Sequence, residues 1–172
     1  PPTDSWSQIE GQAWLLQAHG LQTARLEYSL PIVPSITGAS LAQCAAGDYT
    51  PHGAKLAQNL MRYRLANAVI PPGWEMNGNW FPWSEGVNGN APGQYVAAWR
   101  HVHDIFTSVG ATNVSWVWCP KLRPKDEWTR LTGLSHGNSY VDWPDRAGLN
   151  WGATATRPRG WPHADQRSAA PH

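Results

Sequence analysis

The 172-residue chain sets 13 Lys and Arg against 12 Asp and Glu, a formal net charge of +1, and only 15% of its residues are charged, where an average soluble domain carries about 25%. It has no basic run longer than two residues, which excludes an electrostatic nucleic-acid binder, and no 18-residue apolar stretch that could span a membrane. The anomaly is tryptophan: 12 Trp against five Tyr and two Phe.

Along the chain, Trp6, Ile9, Ala13 and Leu16 recur at helical spacing and Gly20 follows as a stop, predicting an amphipathic helix over 6–17. The run 24–30 is compatible with a strand, and Pro31 and Pro34 put its end in a loop. A Ser-, Gly- and Ala-rich loop follows. Thr50-Pro51 then reads as an N-cap with proline at the first helical position, opening a helix that runs to about Ala66 with Ala54, Ala57, Leu60 and Met61 inward. Residues 67–70 form a short apolar strand, cut off by Pro71-Pro72-Gly73, and a loop dense in Trp, Asn, Gly and Pro extends to Asn90. Pro92 opens the clearest helix, with Tyr95, Trp99, Val102, Phe106 and Val109 on one face and Gly110 at its end. Residues 113–119 are the clearest strand and 139–143 a weaker fourth. From Arg146 the composition shifts, and 152–172 is expected to be an irregular tail after a domain covering 1–151.

Strands alternating with helices imply βαβ units and a parallel sheet. Ligand sites of such folds lie in loops beyond the carboxyl ends of the strands. The Trp-rich segments 74–83 and 118–124 fall there. Periodicity alone leaves an open sheet and a closed barrel as alternatives, and 172 residues is short for a complete (β/α)8 barrel of about 250.

Each carboxylate can be weighed separately. Asp4, Glu10, Asp48 and Asp104 belong to helices or their starts, where capping or a solvated face is the ordinary role. Asp126, Glu127, Asp142, Asp145 and Asp165 lie in polar loops, the weak strand or the tail, Glu85 lies in the long loop, and Glu27 lies in a strand. Glu75 differs because it follows a strand end inside Gly73-Trp74-Glu75-Met76-Asn77-Gly78-Asn79-Trp80-Phe81-Pro82-Trp83. Desolvation against indole rings would favour the neutral carboxyl, as a general acid working near neutral pH requires. Indole faces also suit the C–H faces of sugar rings. The bland alternative is a structural turn carrying a solvated glutamate. The seven histidines have no metal-ligand spacing, and His101 and His103 are expected to face solvent or packing neighbours. Cys44 and Cys119 are compatible with one disulfide or with two buried thiols.

The 73–83 segment resembles the strand-four signature of glycoside hydrolase family 26, the β-mannanases and their β-glucanase and β-1,3-xylanase relatives. Three further segments, 95–104, 113–120 and 139–143, follow in family order. The resemblance implies a (β/α)8 TIM-barrel fold, incomplete in this chain, and endo-acting hydrolysis of β-mannan first, β-glucan or β-xylan next, by a retaining double displacement. It implies Glu75 as the acid/base, with Trp74, Asn77, Trp80, Trp83, Trp118 and Trp151 as candidate substrate-binding residues. No cofactor or metal is implied; the expected partner is a polysaccharide or oligosaccharide, and the protein is expected to be a secreted monomer.

Departures accompany these matches. Pro71 stands where the family usually has Arg, Trp74 where His is frequent, and Leu149 where a Tyr orients the nucleophile. No segment matching the strand-seven nucleophile follows Gly152, so the chain reads as a partial catalytic domain, and its Pro1-Pro2-Thr3 start as that of a processed or partial chain without a signal peptide. The competing readings are a non-catalytic carbohydrate binder using Trp74, Trp80, Trp83 and Trp118 as a platform, and an α/β domain whose indoles are mostly core.

Overall fold

A computed structural model describes residues 5–11, 25–35, 38–121 and 139–144. Its elements in chain order are α1 (Trp6–Ile9), α2 (Leu41–Ala46), α3 (Thr50–Arg62), β1 (Val69–Ile70), α4 (Gln94–Ser108), β2 (Ser115–Trp118) and β3 (Trp143–Pro144).

The strands are parallel and ordered β1-β2-β3, with Val69 opposite Ser115, Ile70 opposite Trp116, and Val117 opposite Trp143. On the other side of β1, the extended segment 25–30 pairs in parallel through Glu27 to Val69 and Leu30 to Pro72. Tyr28 N–H donates to Val69 O over 2.8 Å, and Val69 N–H returns to Leu26 O over 2.8 Å. Four parallel segments therefore lie side by side in chain order, with no reversal among the described residues. An open doubly wound sheet reverses its strand order at a switch point; sequential order is what an arc of a β/α barrel has.

The helices pack together over one face of this sheet, α4 lying against both α2 and α3. Tyr95, Ala98, Trp99, Val102, Ile105 and Phe106 of α4 are buried. Trp116 of β2 meets Phe106 edge-on at 5.0 Å and Trp99 at 6.4 Å. Trp118 shares the helix-facing side with Trp116 by strand alternation. In the segment before β1, Tyr28 and Leu30 are buried while the preceding Glu27 is exposed, and the Tyr28 hydroxyl donates to Ile9 O over 3.0 Å, fastening α1 to the sheet.

Several elements differ from the sequence expectation for local reasons. The first helix has one described turn, closed by Gly11 at φ +74°, and residues 12–20 lie outside the described part. The segment expected to be loop before Thr50 contains α2, whose Ser40 hydroxyl accepts from Gln43 N–H and whose Gly47 ends it in the left-handed region. That is a capping pattern three residues apart, legible in Ser40 and Gln43. Thr50 does not cap α3; Tyr49 stands at the N-cap, while the Thr50 hydroxyl donates to Gly47 O and meets His101 Nε2 at 2.9 Å. Helix α3 stops at Arg62, ahead of Ala66, because Arg64 takes φ +58° and Leu65 N–H bonds back to Leu60 O. Helix α4 starts at Gln94 rather than Pro92, and β3 is reduced to two residues; Asp142 ahead of it bonds to Trp116 of β2 with both its main-chain N–H and its carboxylate, whose Oδ2 accepts Trp116 N–H over 2.8 Å. The expected boundary between 1–151 and 152–172 lies outside the described residues.

Candidate active site

The chain leaves β1 through Pro71-Pro72 and turns sharply at Gly73, φ +54°. A Cβ there would come within 2.7 Å of Ile32 Cδ1 and 2.8 Å of Tyr95 Cε2, so only glycine lets the turn pack onto the core. The buried Tyr95 hydroxyl holds the same turn by donating to Pro72 O over 3.0 Å. Burial raises the Tyr95 phenol well above its ordinary range, with the Cys119 thiol a smaller contribution, so it stays a donor.

Two residues beyond Gly73, Glu75 takes φ +51°. A left-handed backbone is strained for a glutamate by about 1–3 kcal/mol, and such residues collect at functional sites. Its N–H donates to Cys119 O over 2.7 Å, bridging to the segment that leaves β2. Its carboxylate Oε2 accepts the Trp80 indole N–H over 3.1 Å. Glu75 is half-buried, and Trp80, 44% exposed, is the one large hydrophobic residue among the described residues that is exposed. Gly78 makes this possible: a Cβ at 78 would lie 2.5 Å from the Trp80 ring, which folds back over the turn.

Beneath Trp80 lies an aromatic stack. Phe81 and Trp83 are stacked at 4.7 Å and 11°, and Trp74 meets Phe81 at 4.9 Å and Trp83 at 4.6 Å. Trp83 is completely buried and its indole N–H donates to Trp74 O over 2.9 Å. The rest of the loop is fastened by Asn90, whose amide donates to both Pro82 O and Ser84 O over 2.8 Å, and by Glu85 Oε1, which accepts the Gly93 N–H at the start of α4.

The candidate binding residues separate accordingly. Trp80 presents ring surface next to Glu75, and Trp74 is half-buried in the stack. Trp83 and Trp118 are buried and offer no platform, which corrects the expectation for both: they are core indoles, one inside the loop and one on the helix side of β2. Asn77 is not a free hydroxyl-binding amide either. Its Nδ2 donates to Lys121 O over 2.9 Å and its Oδ1 accepts Lys121 N–H over 2.8 Å, tying the two loops together. Trp151 lies outside the described residues. Sequence reasoning missed Lys121, whose ammonium sits 4.1 Å from the Trp80 ring centroid; Asn77, 44 residues away in sequence, gives no local signal of that meeting.

Most of the other described carboxylates are committed elsewhere. Glu10 pairs with His52 at 2.7 Å and Asp104 with His103 at 3.1 Å, Asp142 takes the Trp116 N–H, and Glu27 lies at the level of Val69, below the strand ends. Asp48 is exposed beside α3. His101 bonds to Thr50 and His103 packs near Trp116 and Tyr140, so both have packing neighbours. Cys44 is buried, Cys119 is half-buried, and neither forms a disulfide.

The model of the family described as glycosyl hydrolase family 26 matches residues 49–145. Endoglucanase H of Acetivibrio thermocellus is 36% identical over 114 residues, which are 65% of this chain and 13% of that protein. Among solved structures, GH26A from Muricauda sp. MAR_2010_75 is similar with a TM-score of 0.55 and 19% identity over 77% of this chain and 52% of its own. The GH26 β-mannanase of Bacteroides ovatus gives a TM-score of 0.54 and 16% identity over 83% of this chain and 45% of its own. The chain thus spans about half the length of these solved relatives and a small part of the endoglucanase. The solved structures share its fold.

Proposed function

The chain belongs to glycosyl hydrolase family 26, and from that premise we propose that it is part of a secreted β-glycan hydrolase in which Glu75 is the general acid/base. The sequential order of the parallel strands supports reading them as an arc of a (β/α)8 barrel, with the loop after β1 at its carboxyl-terminal rim. The observation that carries the reading is the setting of Glu75: a strained backbone at a parallel strand end, with its carboxylate hydrogen-bonded to an exposed indole.

In this reading a sugar ring stacks on Trp80 and its glycosidic oxygen lies against Glu75. Glu75, protonated, gives its proton to that oxygen as the C–O bond breaks, so the leaving sugar departs as a neutral alcohol. A second carboxylate, about 5–5.5 Å away, takes the anomeric carbon, and Glu75 then removes a proton from the water that releases the product with retained configuration. The described residues supply Glu75 alone, so that second carboxylate comes from outside them. β-Mannan is the first substrate and mixed-linkage β-glucan or β-xylan the next.

The commitment of Glu10, Glu85, Asp104 and Asp142 to partners of their own favours one other reading, a carbohydrate-binding chain without hydrolysis. Glu75→Gln separates the two. In a protein that includes the part bearing the second carboxylate, abolished hydrolysis of mannan and lichenan with oligosaccharide binding retained supports the hydrolase; no hydrolysis of either, or of xylan, by that protein unmodified contradicts it.

A further inference from the structure

Lys121, two residues past Cys119 in the segment leaving β2, is half-buried and holds its ammonium 4.1 Å from the centre of the Trp80 ring. A lysine side chain is flexible and strongly hydrated, and an isolated surface contact of this kind would mean little. Here the main chain that carries it is fixed. The Asn77 amide both donates to Lys121 O and accepts from Lys121 N–H, and Glu75 N–H bonds to Cys119 O. The contacts close a ring: Glu75 to Trp80 through the indole N–H, Trp80 to Lys121 through the ring face, and Lys121 to Asn77, two residues from Glu75. No ion pair to a carboxylate among the described residues draws Lys121 away.

We propose that Lys121 is a positioning residue for the acid/base step. Its ammonium lies over the Trp80 ring and holds the indole with its N–H aimed at Glu75 Oε2. The attraction of a cation to the indole quadrupole is strongest for Trp among the aromatic side chains. This inference rests on the reading of Glu75 as acid/base.

The test uses the whole protein, including the part that bears the second carboxylate, and two variants, Lys121→Met, which keeps the length of the stem and removes the charge, and Lys121→Arg, which restores a cation over the ring. With an unactivated β-linked oligosaccharide, kcat/KM falls about five- to tenfold in Lys121→Met and recovers in Lys121→Arg. With a dinitrophenyl glycoside of the same sugar, whose leaving group needs no proton, kcat/KM changes by less than about twofold. A second measurement is independent of activity: the emission assigned to Trp80 by difference from Trp80→Phe is quenched more by caesium and less by iodide once the ammonium is gone. Equal losses on both substrates, or no loss on either, overturn the inference, as does quenching that does not change. When the unmodified protein is active and Lys121→Met matches it, only the role of Lys121 falls. When the unmodified protein hydrolyses neither substrate, the reading of Glu75 falls and takes this inference with it.

Discussion

The Trp80 indole N–H donates to Glu75 Oε2 over 3.1 Å, across a turn in which Glu75 itself is left-handed. Five residues of sequence therefore place a carboxylate and an exposed ring side by side at a strand end. The arrangement depends on Gly73, which allows the turn to pack, and Gly78, which leaves room for the indole.

Trp80→Phe removes the N–H and keeps an aromatic face. A hydrogen bond to a charged group is worth about 1.5–3 kcal/mol, less where water can replace it, so kcat/KM on mannan or lichenan should fall about tenfold. Trp80→Ala should fall further because the stacking face is lost as well. Gly78→Ala displaces the ring and should resemble Trp80→Ala with an intact fold by circular dichroism. Equal activity in Trp80→Phe and the unmodified protein would remove the indole from the mechanism.

Trp83 provides the contrast. It is fully buried between Trp74 and Phe81, so Trp83→Ala should cost about 3–5 kcal/mol of unfolding free energy, measured by urea denaturation. A variant that kept its stability and lost only glycan affinity would restore Trp83 to the platform.

Asn77→Ala breaks both hydrogen bonds to the main chain of Lys121. At about 0.5–1.5 kcal/mol each, the loss of stability should be about 1–3 kcal/mol, seen as a lower urea midpoint. Unchanged stability would mean that the two loops are not held together by this amide.

Much of this organisation was legible in the chain. The core face of α4 followed from the spacing of Tyr95, Trp99, Val102 and Phe106, and the parallel sheet from the alternation of elements. What escaped was non-local. An indole's exposure is decided by which residues fold over it: Trp80 and Trp83 are three apart in one loop, yet one is exposed and the other sealed. Asn77 looks like a sugar-binding amide until Lys121 arrives from 44 residues away. The strand expected over 139–143 is found at 143–144, and Asp142 ahead of it bonds to Trp116 of β2 with both its main-chain N–H and its carboxylate.

Stability should fall at alkaline pH. Burial pushes the Cys44 thiol up from 9.0 to about 12 and raises the Tyr28 and Tyr95 phenols. Between pH 9 and 12 the folded chain keeps the Cys44 proton and the unfolded chain releases it, so the folded state binds more protons and loses stability as pH rises. This stability is fully present below pH 9, and each such group adds a slope of up to about 1.4 kcal/mol per pH unit above its unfolded value. Urea midpoints at pH 8, 9 and 10 measure the slope, which Cys44→Ala should make shallower. A flat profile would mean that these groups are exposed to solvent.

The central claim, that Glu75 is the acid/base of a retaining hydrolase, is tested most directly with Glu75→Ala and a dinitrophenyl β-glycoside. The account predicts that kcat/KM is largely kept while turnover slows, because no base activates water, and that azide restores turnover and yields the β-configured glycosyl azide. Full activity of Glu75→Ala on natural glycan, or azide that neither accelerates the variant nor appears in the product, would contradict it.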